Sequence, residues 1–313
     1  MNKKLLTIAV AAAMAAPMAA MADATLYGKV RLAVESIDTG ASDNARIQNY
    51  FSRIGVKGSE DLGDGLKAVY AAEFGINIAD TANEFSGGDS ISNRNAFVGL
   101  AGNWGTFLVG RHDTPLKIST GSLDYFGDTA GDNNADYNED LQDRRANGTV
   151  AYITPSMGGL TVAAAIVPGE NADADGLADA YSVAAMYSNS GFYASAAVEG
   201  GDSSIDALGG VSDLDQTRVG LGYDGGAWKV GAVWENVSLD DVSFDQDSYA
   251  INGAYSFGNN TIKAKYFDVE DDHDGFALGL DHNLSKRTQA YAVYVDSSSD
   301  MGADTTVWGV GLN

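Results

Sequence analysis

Alternation of apolar and polar side chains over short segments is the feature that most constrains the fold of this chain. Between residues 26 and 35 the even-numbered positions carry Leu, Gly, Val, Leu and Val, and the odd-numbered ones carry Tyr, Lys, Arg, Ala and Glu. The same period of two recurs in 66–76, 228–235, 248–255 and 262–266. A period of two is typical of a β-strand with one apolar face. The sequence therefore predicts an all-β protein.

Two kinds of connector take turns between these segments. Seven are short, at 61–65, 102–105, 155–159, 189–191, 225–226, 258–260 and 284–287; eight are longer and acidic, at 37–49, 79–93, 113–144, 169–178, 201–214, 237–246, 270–274 and 297–304. Fifteen connections predict sixteen strands. A strand of about ten residues can cross a bilayer when it is tilted. An even strand number, with short turns at one end and long loops at the other, predicts a 16-stranded antiparallel transmembrane β-barrel.

A secreted soluble β-sandwich or β-solenoid would also alternate. The apolar phase of these strands mixes many Ala and Gly with Val, Leu, Tyr and Trp, a composition that suits lipid as well as a protein core. Aromatic residues also cluster near the strand ends, as an interfacial girdle would place them. They are Tyr27, Tyr50, Phe51, Tyr223, Trp234, Tyr255, Tyr266 and Trp308. Both features favour the barrel.

The first 22 residues have the pattern of a secretory signal peptide. Lys3 and Lys4 precede an apolar run over 5–16, and Ala20, Met21 and Ala22 form a small-residue cleavage site. We therefore predict a cleaved signal peptide over 1–22, export from the cytoplasm and a barrel domain over 23–313.

Composition excludes several classes of protein. The chain carries 43 acidic and 19 basic residues, a formal charge of −24 that repels phosphate backbones, so we expect no nucleic-acid partner. It has no Cys, its three His do not form an H-E-x-x-H motif, and no Ser lies in G-x-S-x-G. These absences predict a protein that is not an enzyme and has no cofactor and no metal site.

Basic residues on the strands follow the alternation. A charged side chain facing lipid costs about 2–4 kcal/mol at mid-membrane, so strand Lys and Arg are expected to face the lumen. Nine basic residues lie opposite the apolar phase of their strands: Lys29, Arg31, Arg53, Lys57, Lys67, Arg218, Lys229, Lys263 and Lys265. Alternation does not settle the phase of Arg94 and Arg111.

Three segments resemble the Gram-negative general diffusion porins. SRIGVKGSEDLGDGLKAVYAAE at 52–73 resembles their second hairpin, and NRNAFVGLAGNWGTFLVGRHDTPL at 93–116 resembles the strands that lead into their constriction loop. ANGTVAYITPSMGGLTVAAA at 146–165 resembles the next hairpin, although the P-E-F-G-G motif of enterobacterial members is missing. The resemblance implies an outer-membrane barrel of a Gram-negative cell, usually a homotrimer, with its third loop folded into the lumen.

The resemblance also implies a constriction with charged walls. It assigns Lys29, Arg53, Arg94 and Arg111 to the basic wall, and the strand phases add Arg31, Lys57 and Lys67. The loop would place carboxylates opposite them, and the transverse field would orient dipolar solutes. The predicted acidic residues are Asp113, Asp124, Asp128, Asp132, Asp136, Glu139 and Asp140.

The function that follows is passive diffusion of ions and small hydrophilic solutes. Acidic loops at the mouth would concentrate cations, which favours a weak cation preference. Outer-membrane lipids and lipopolysaccharide would surround the barrel. Two alternatives stay open at this point: an outer-membrane barrel with a plugged lumen that acts as an adhesin or structural anchor, and a secreted soluble acidic β-protein.

Overall fold

A computed structural model of the chain describes residues 23–79, 91–133, 141, 143–169, 176–201, 213–239, 244–300 and 302–313. The predicted signal peptide, 1–22, lies outside the described residues. The strands are β1 Thr25–Lys29, β2 Leu32–Asp38, β3 Asp43–Asn49, β4 Arg53–Gly63, β5 Leu66–Ile76, β6 Ile91–Gly102, β7 Gly105–Asp113, β8 Arg145–Ile153, β9 Leu160–Val167, β10 Ala180–Asn189, β11 Phe192–Gly201, β12 Leu214–Asp224, β13 Trp228–Leu239, β14 Phe244–Phe257, β15 Asn260–Val269, β16 His273–Asn283, β17 Gln289–Ser299 and β18 Thr305–Leu312.

The 18 strands of the described chain correspond to 16 barrel strands. β1 pairs with β4 and β2 pairs with β3, so the four segments form one long hairpin. Lys29 lies opposite Arg53, whereas Leu32 lies opposite Asn49, so the register shifts by one residue between the two halves. Phe51, in the three-residue link between β3 and β4, has a φ of 50°. This extra residue is a β-bulge, which the alternation pattern does not reveal.

All strand pairs are antiparallel, and from β4 to β18 each strand pairs with the next along the chain. β18 then pairs with β2, with Leu312 opposite Leu32. The ladder thus returns to its starting strand. Such pairing satisfies the backbone N–H and C=O groups within the sheet, which is the condition for crossing lipid with strands.

The two faces of the sheet differ as the alternation predicts, but in the reverse sense to a soluble protein. On β2, the Val34 side chain is 58% exposed, while Ala33 and Glu35 on the other face are 2% and 1% exposed. On β14, Ile251 is 58% exposed and Asn252 is 1% exposed. We call the two sets the outer row and the inner row. The outer row is mostly apolar, and the inner row mixes small, polar and charged residues with buried apolar ones such as Phe267 and Val295.

Several connectors are shorter than the alternation pattern predicts. The strands reduce the predicted loop over 37–49 to 39–42, that over 237–246 to 240–243, that over 270–274 to 270–272, and that over 297–304 to 300–304. The strands continue into these segments because hydrogen bonding alone maintains the ladder there. Their outer face carries polar residues, so the apolar half of the pattern disappears before the strand ends.

The single helix of the described chain, α1, spans Pro115–Thr120. No helix among the described residues is long and apolar enough to cross a membrane.

The free-energy cost of a charged side chain on the outer row should depend on how far the residue lies from the membrane surface. Ile251 lies near the middle of β14, and Phe257 lies on the same face at its turn end. Ile251→Lys is expected to destabilise the protein by about 2–4 kcal/mol, and Phe257→Lys by about 0–1 kcal/mol, because the second ammonium reaches water. Denaturant unfolding in lipid vesicles measures both. Equal costs would contradict an outer row that faces lipid.

Candidate functional site

The segment between β7 and β8 lies inside the barrel. We call residues 114–144 the inserted loop; the structure describes 114–133, 141, 143 and 144 of it. Every strand residue that it contacts below belongs to the inner row. It follows the wall from β9 round to β4 and so narrows the lumen.

The first part of the loop is α1, which packs on β10 and β11. Thr114 caps the helix by accepting a hydrogen bond from the Lys117 N–H at 3.3 Å. Capping residues of this type fix where a short helix begins. The Leu116 N–H donates to Ser182 Oγ at 3.0 Å, and the Leu116 side chain is fully buried with Ala184.

The middle of the loop packs on glycines of the wall. A Cβ on Gly220 or Gly222 of β12 would lie 2.8 or 2.6 Å from the Leu123 side chain, so any larger residue there would force Leu123 to move. Further on, Phe126 is fully buried, and the Lys263 ammonium of β15 lies 4.9 Å from its ring centroid. Both aromatic and aliphatic anchors hold the loop against the inner row.

The loop then reaches the first strands of the barrel through Asp128. Its carboxylate lies 2.6 Å from Lys29 Nζ and 3.2 Å from Arg53 Nη1. Arg31, which is 6% exposed, donates from Nη1 to the carbonyl oxygens of Gly127 and Asp128 at 2.8 and 2.7 Å. Three basic side chains, from β1, the β1–β2 link and the start of β4, therefore fix one turn of the loop.

The returning end of the loop is held by a buried ion cluster. Arg218 of β12 is fully buried and lies 2.6 Å from Asp143 and 2.5 Å from Glu235 of β13. Arg144 donates to Gln216 Oε1 at 2.6 Å. A buried arginine needs this degree of pairing, because one left without partners would cost several kcal/mol, on the order of 3–5.

A cavity of about 360 Å³ remains between the loop and the wall of β4–β8. Basic residues line the wall side and the start of the loop: Arg53, Arg94, Lys117 and Arg145. Carboxylates line the rest: Asp113, Asp124, Asp128, Asp132 and Asp143. Among the described residues, the cavity is therefore lined by nearly equal numbers of positively and negatively charged side chains.

The structure brings four of the seven predicted basic residues to this region. Lys29, Arg31 and Arg53 contact the loop turn, and Arg94 lines the cavity. Lys57 and Lys67 lie on the inner row, nearer the short-turn end of β4 and β5, and neither lines the cavity.

A register shift between β5 and β6 explains why alternation along the sequence does not show which face of the sheet Arg94 occupies. Phe74 lies opposite Asn93, but Ala72 lies opposite Ala96, so Glu73 faces two residues of β6, Arg94 and Asn95. This bulge turns both of them toward the lumen.

The structure corrects the expectation that Arg111 belongs to the basic wall of the constriction. Arg111 lies opposite Ala96, and two residues earlier Val109 lies opposite the exposed Val98. Alternation along β7 therefore places Arg111 on the outer row. Its guanidinium donates to the Asn93 carbonyl at 3.3 Å and to Asn147 Oδ1 at 2.5 Å. Gly110, with a φ of 144°, precedes it.

The acidic residues are partly described. Asp113, Asp124, Asp128 and Asp132 line the cavity. Asp136, Glu139 and Asp140 lie outside the described residues. No cluster of three potential metal ligands occurs in the described part of the chain.

Sequence reasoning missed Glu73 of β5. Its carboxylate lies 2.6 Å from Arg94 Nε and 3.9 Å from Arg53 Nε, and it accepts a hydrogen bond from the Tyr27 hydroxyl at 3.0 Å. Glu73 lies on the polar phase of its strand, as Lys67 does, so the phase rule applied to carboxylates would have found it. Arg145, 2.8 Å from Asp113, was missed because it follows the long loop directly.

Comparison with known proteins gives one consistent family. The family described as Gram-negative porin matches residues 9–302. The major outer membrane protein P.IB of Neisseria meningitidis serogroup B is 30% identical, over 93% of this chain and 91% of that protein. The protein of the same name from Neisseria gonorrhoeae is also 30% identical, over 98% of this chain and 97% of that protein.

Solved structures share the fold. The anion-selective porin from Comamonas acidovorans superposes with a TM-score of 0.74 at 23% identity, covering 93% of this chain and 99% of that one. Salmonella typhi OmpF, in complex with daunomycin, superposes with a TM-score of 0.72 at 17% identity, covering 93% of this chain and 98% of that one.

Protonation of Asp128 should release the turn of the inserted loop that carries it, at a pH below the range in which carboxyl groups usually titrate. Burial opposes the charged form of Asp128, but Arg53 and Lys29 outweigh it and hold the Asp128 pKa below its usual 3.8. A lowered pKa stabilises the folded state above pH ~4, and this contribution disappears as the pH falls through the lowered value. Asp128→Asn should lower the melting temperature at pH 7, and the difference from wild type should vanish only below pH ~4.

Thermal unfolding from pH 7 to pH 2 measures this difference. Asp215→Asn, which changes an exposed carboxylate of β12, is the matched control and should shift the melting temperature little at either end. A melting-temperature difference between wild type and Asp128→Asn that is the same at pH 7 and pH 2 would contradict the ion pairs of Asp128.

Proposed function

Since the chain belongs to the Gram-negative porin family and is an outer-membrane channel protein for passive diffusion, we propose that the cavity between the inserted loop and the β4–β8 wall is its constriction. Ions and small hydrophilic solutes pass there with a weak preference for cations. We further propose that the protein performs no catalysis, and that residues 1–22 are removed on export, which N-terminal sequencing tests.

One observation carries the assignment of the constriction. Groups of opposite sign line one cavity inside the barrel, between the inserted loop and the wall. Fixed charges of both signs across a narrow passage orient a dipolar solute and separate the paths of cations and anions. A structural anchor with a plugged lumen would have no use for such a cavity.

The weak cation preference rests on the balance of these charges. Five described carboxylates line the cavity against four basic side chains. Glu73, just behind Arg53 and Arg94, offsets part of the basic wall. Among the residues that line the cavity, the described carboxylates exceed the basic groups by one, which supports a weak preference for cations.

We also propose that the barrel forms a homotrimer. Members of the family are typically trimeric, and the outer row supplies a physical reason for association. Arg111, Asn93 and Asn147 form a polar group on a face that is otherwise apolar. An arginine on this face costs up to about 2–4 kcal/mol in lipid, and a neighbouring subunit would remove that cost by covering it. Lipids and lipopolysaccharide contact the rest of the outer row.

Neutralising the basic wall should shift ion selectivity. Arg53→Gln and Arg94→Gln are expected to move the reversal potential in a planar bilayer with a salt gradient toward stronger cation preference. Glu73→Gln should move it the opposite way. Lys229→Gln is the control, because Lys229 is half exposed and paired with Asp224 at the barrel rim. Reversal potentials that stay at the wild-type value would overturn the charged constriction, and absence of any conductance would overturn the channel itself.

Removing the outer-row charge should weaken the trimer. Arg111→Gln is expected to lower the temperature at which the trimer dissociates on a detergent gel, whereas Arg287→Gln, in an exposed turn, should leave it unchanged. Sedimentation in detergent gives the oligomeric state independently. A monomeric wild type would refute the proposal.

A further inference from the structure

A second cavity lies inside the barrel, away from the charged constriction, and its character is different. Its volume is about 480 Å³, and it is lined by apolar side chains that include Phe97, Leu108 and Ile153. From this cavity we infer that the channel carries a binding site for aromatic monocarboxylates. The inference rests on the proposed channel function and names a solute class for it.

Strand register places the site in the lumen. Lys57 of β4 lies opposite Ala71 of β5, and Ala71 lies opposite Phe97 of β6. Glu73, two residues from Ala71 on the same face, contacts the basic wall of the constriction. The spacing along a strand puts the site about 7 Å below that wall, toward the short-turn end.

The apolar side chains of this cavity belong to the inner row, which also carries buried apolar residues elsewhere, such as Phe267 and Val295. The interior of a water-filled barrel is normally polar. Here Leu108, which is 2% exposed, forms the floor of the cavity, with Phe97 and Ile153 packed against it. His112 meets the Phe97 ring edge-on with ring centroids 5.0 Å apart. A concave, mostly apolar surface with a few polar groups is typical of small-molecule sites.

The Lys57 ammonium beside this apolar surface favours a negatively charged ligand. Lys57 lines the same cavity, and its ammonium lies 5.2 Å from the Tyr27 ring centroid, with no ion pair to any described carboxylate. Two strand spacings, about 10 Å, separate its backbone from that of Phe97. A benzoate-sized molecule can therefore place its ring on Phe97 and its carboxylate at the Lys57 ammonium.

Asp23 also lines the cavity and would favour an aromatic cation instead. We choose the anion because Lys57 extends from the same inner row as the apolar residues, whereas Asp23 precedes β1. The two ligand charges give opposite results in the test below.

Single-channel current in a planar bilayer tests the site. Millimolar benzoate, added to the chloride electrolyte, is expected to interrupt the current in a concentration-dependent way. Acetate, which lacks the ring, and benzamide, which lacks the charge, should interrupt it far less. Interruption by benzylamine in place of benzoate would overturn the assignment in favour of Asp23.

Variants locate the site. Lys57→Gln should weaken the benzoate effect about tenfold, the value of one charge-assisted hydrogen bond. Phe97→Leu keeps an apolar side chain and should weaken it about fivefold by loss of ring contact. Lys67→Gln is the matched control, since Lys67 shares the inner row but does not line the cavity. Benzoate effects equal to wild type in both Lys57→Gln and Phe97→Leu would overturn the site.

The two proposals fail in different ways. A protein without conductance contradicts the channel function. A protein that conducts but gives the same current with benzoate as with acetate retains the channel and contradicts the aromatic carboxylate site alone.

Discussion

The structure depends on one constraint: backbone N–H and C=O groups inside a membrane must be paired within the protein. An antiparallel ladder that returns from β18 to β2 meets this constraint without any helix crossing. The ladder leaves each strand one face toward lipid and one toward the lumen, so the side-chain period of two follows directly. Val34 and Glu35 are neighbours on β2, yet Val34 is exposed on the outer face and Glu35 is buried on the inner face.

The inserted loop narrows the space inside this shell. Its contacts are of three kinds, placed in order along the wall: aliphatic packing of Leu116 and Leu123, the buried Phe126 ring, and ion pairs at Asp128 and Asp143. Glycines on β12 provide the room for Leu123, so the wall and the loop fit as a pair. Ion pairs at Asp128 and near the returning end at Asp143 fix its path, and a cavity remains between the loop and the wall.

Charge in this protein has two structural uses that net charge conceals. Arg218 and Glu235 are fully buried and hold the loop in place, whereas Arg94 and Arg145 face the cavity. Both sets lie on the inner row because an ammonium, guanidinium or carboxylate is costly in lipid. Arg111 departs from this rule and lies on the outer row, opposite Ala96 of β6.

The sequence by itself determined the class of fold, the strand number and, for the strands that alternate clearly, the side that faces lipid, because period-two alternation is a local property that needs no knowledge of neighbours. It also identified Lys29, Arg31 and Arg53 as lumen residues on the same ground. Only the tertiary structure decided Arg94 and Arg111: the bulge beside Glu73 turns Arg94 toward the lumen, and the pairing of Arg111 with Ala96 puts Arg111 on the outer row, and both depend on register with the adjacent strand. The partners of Asp128 were likewise decided by folding, since Lys29 and Arg53 lie 99 and 75 residues away in the chain.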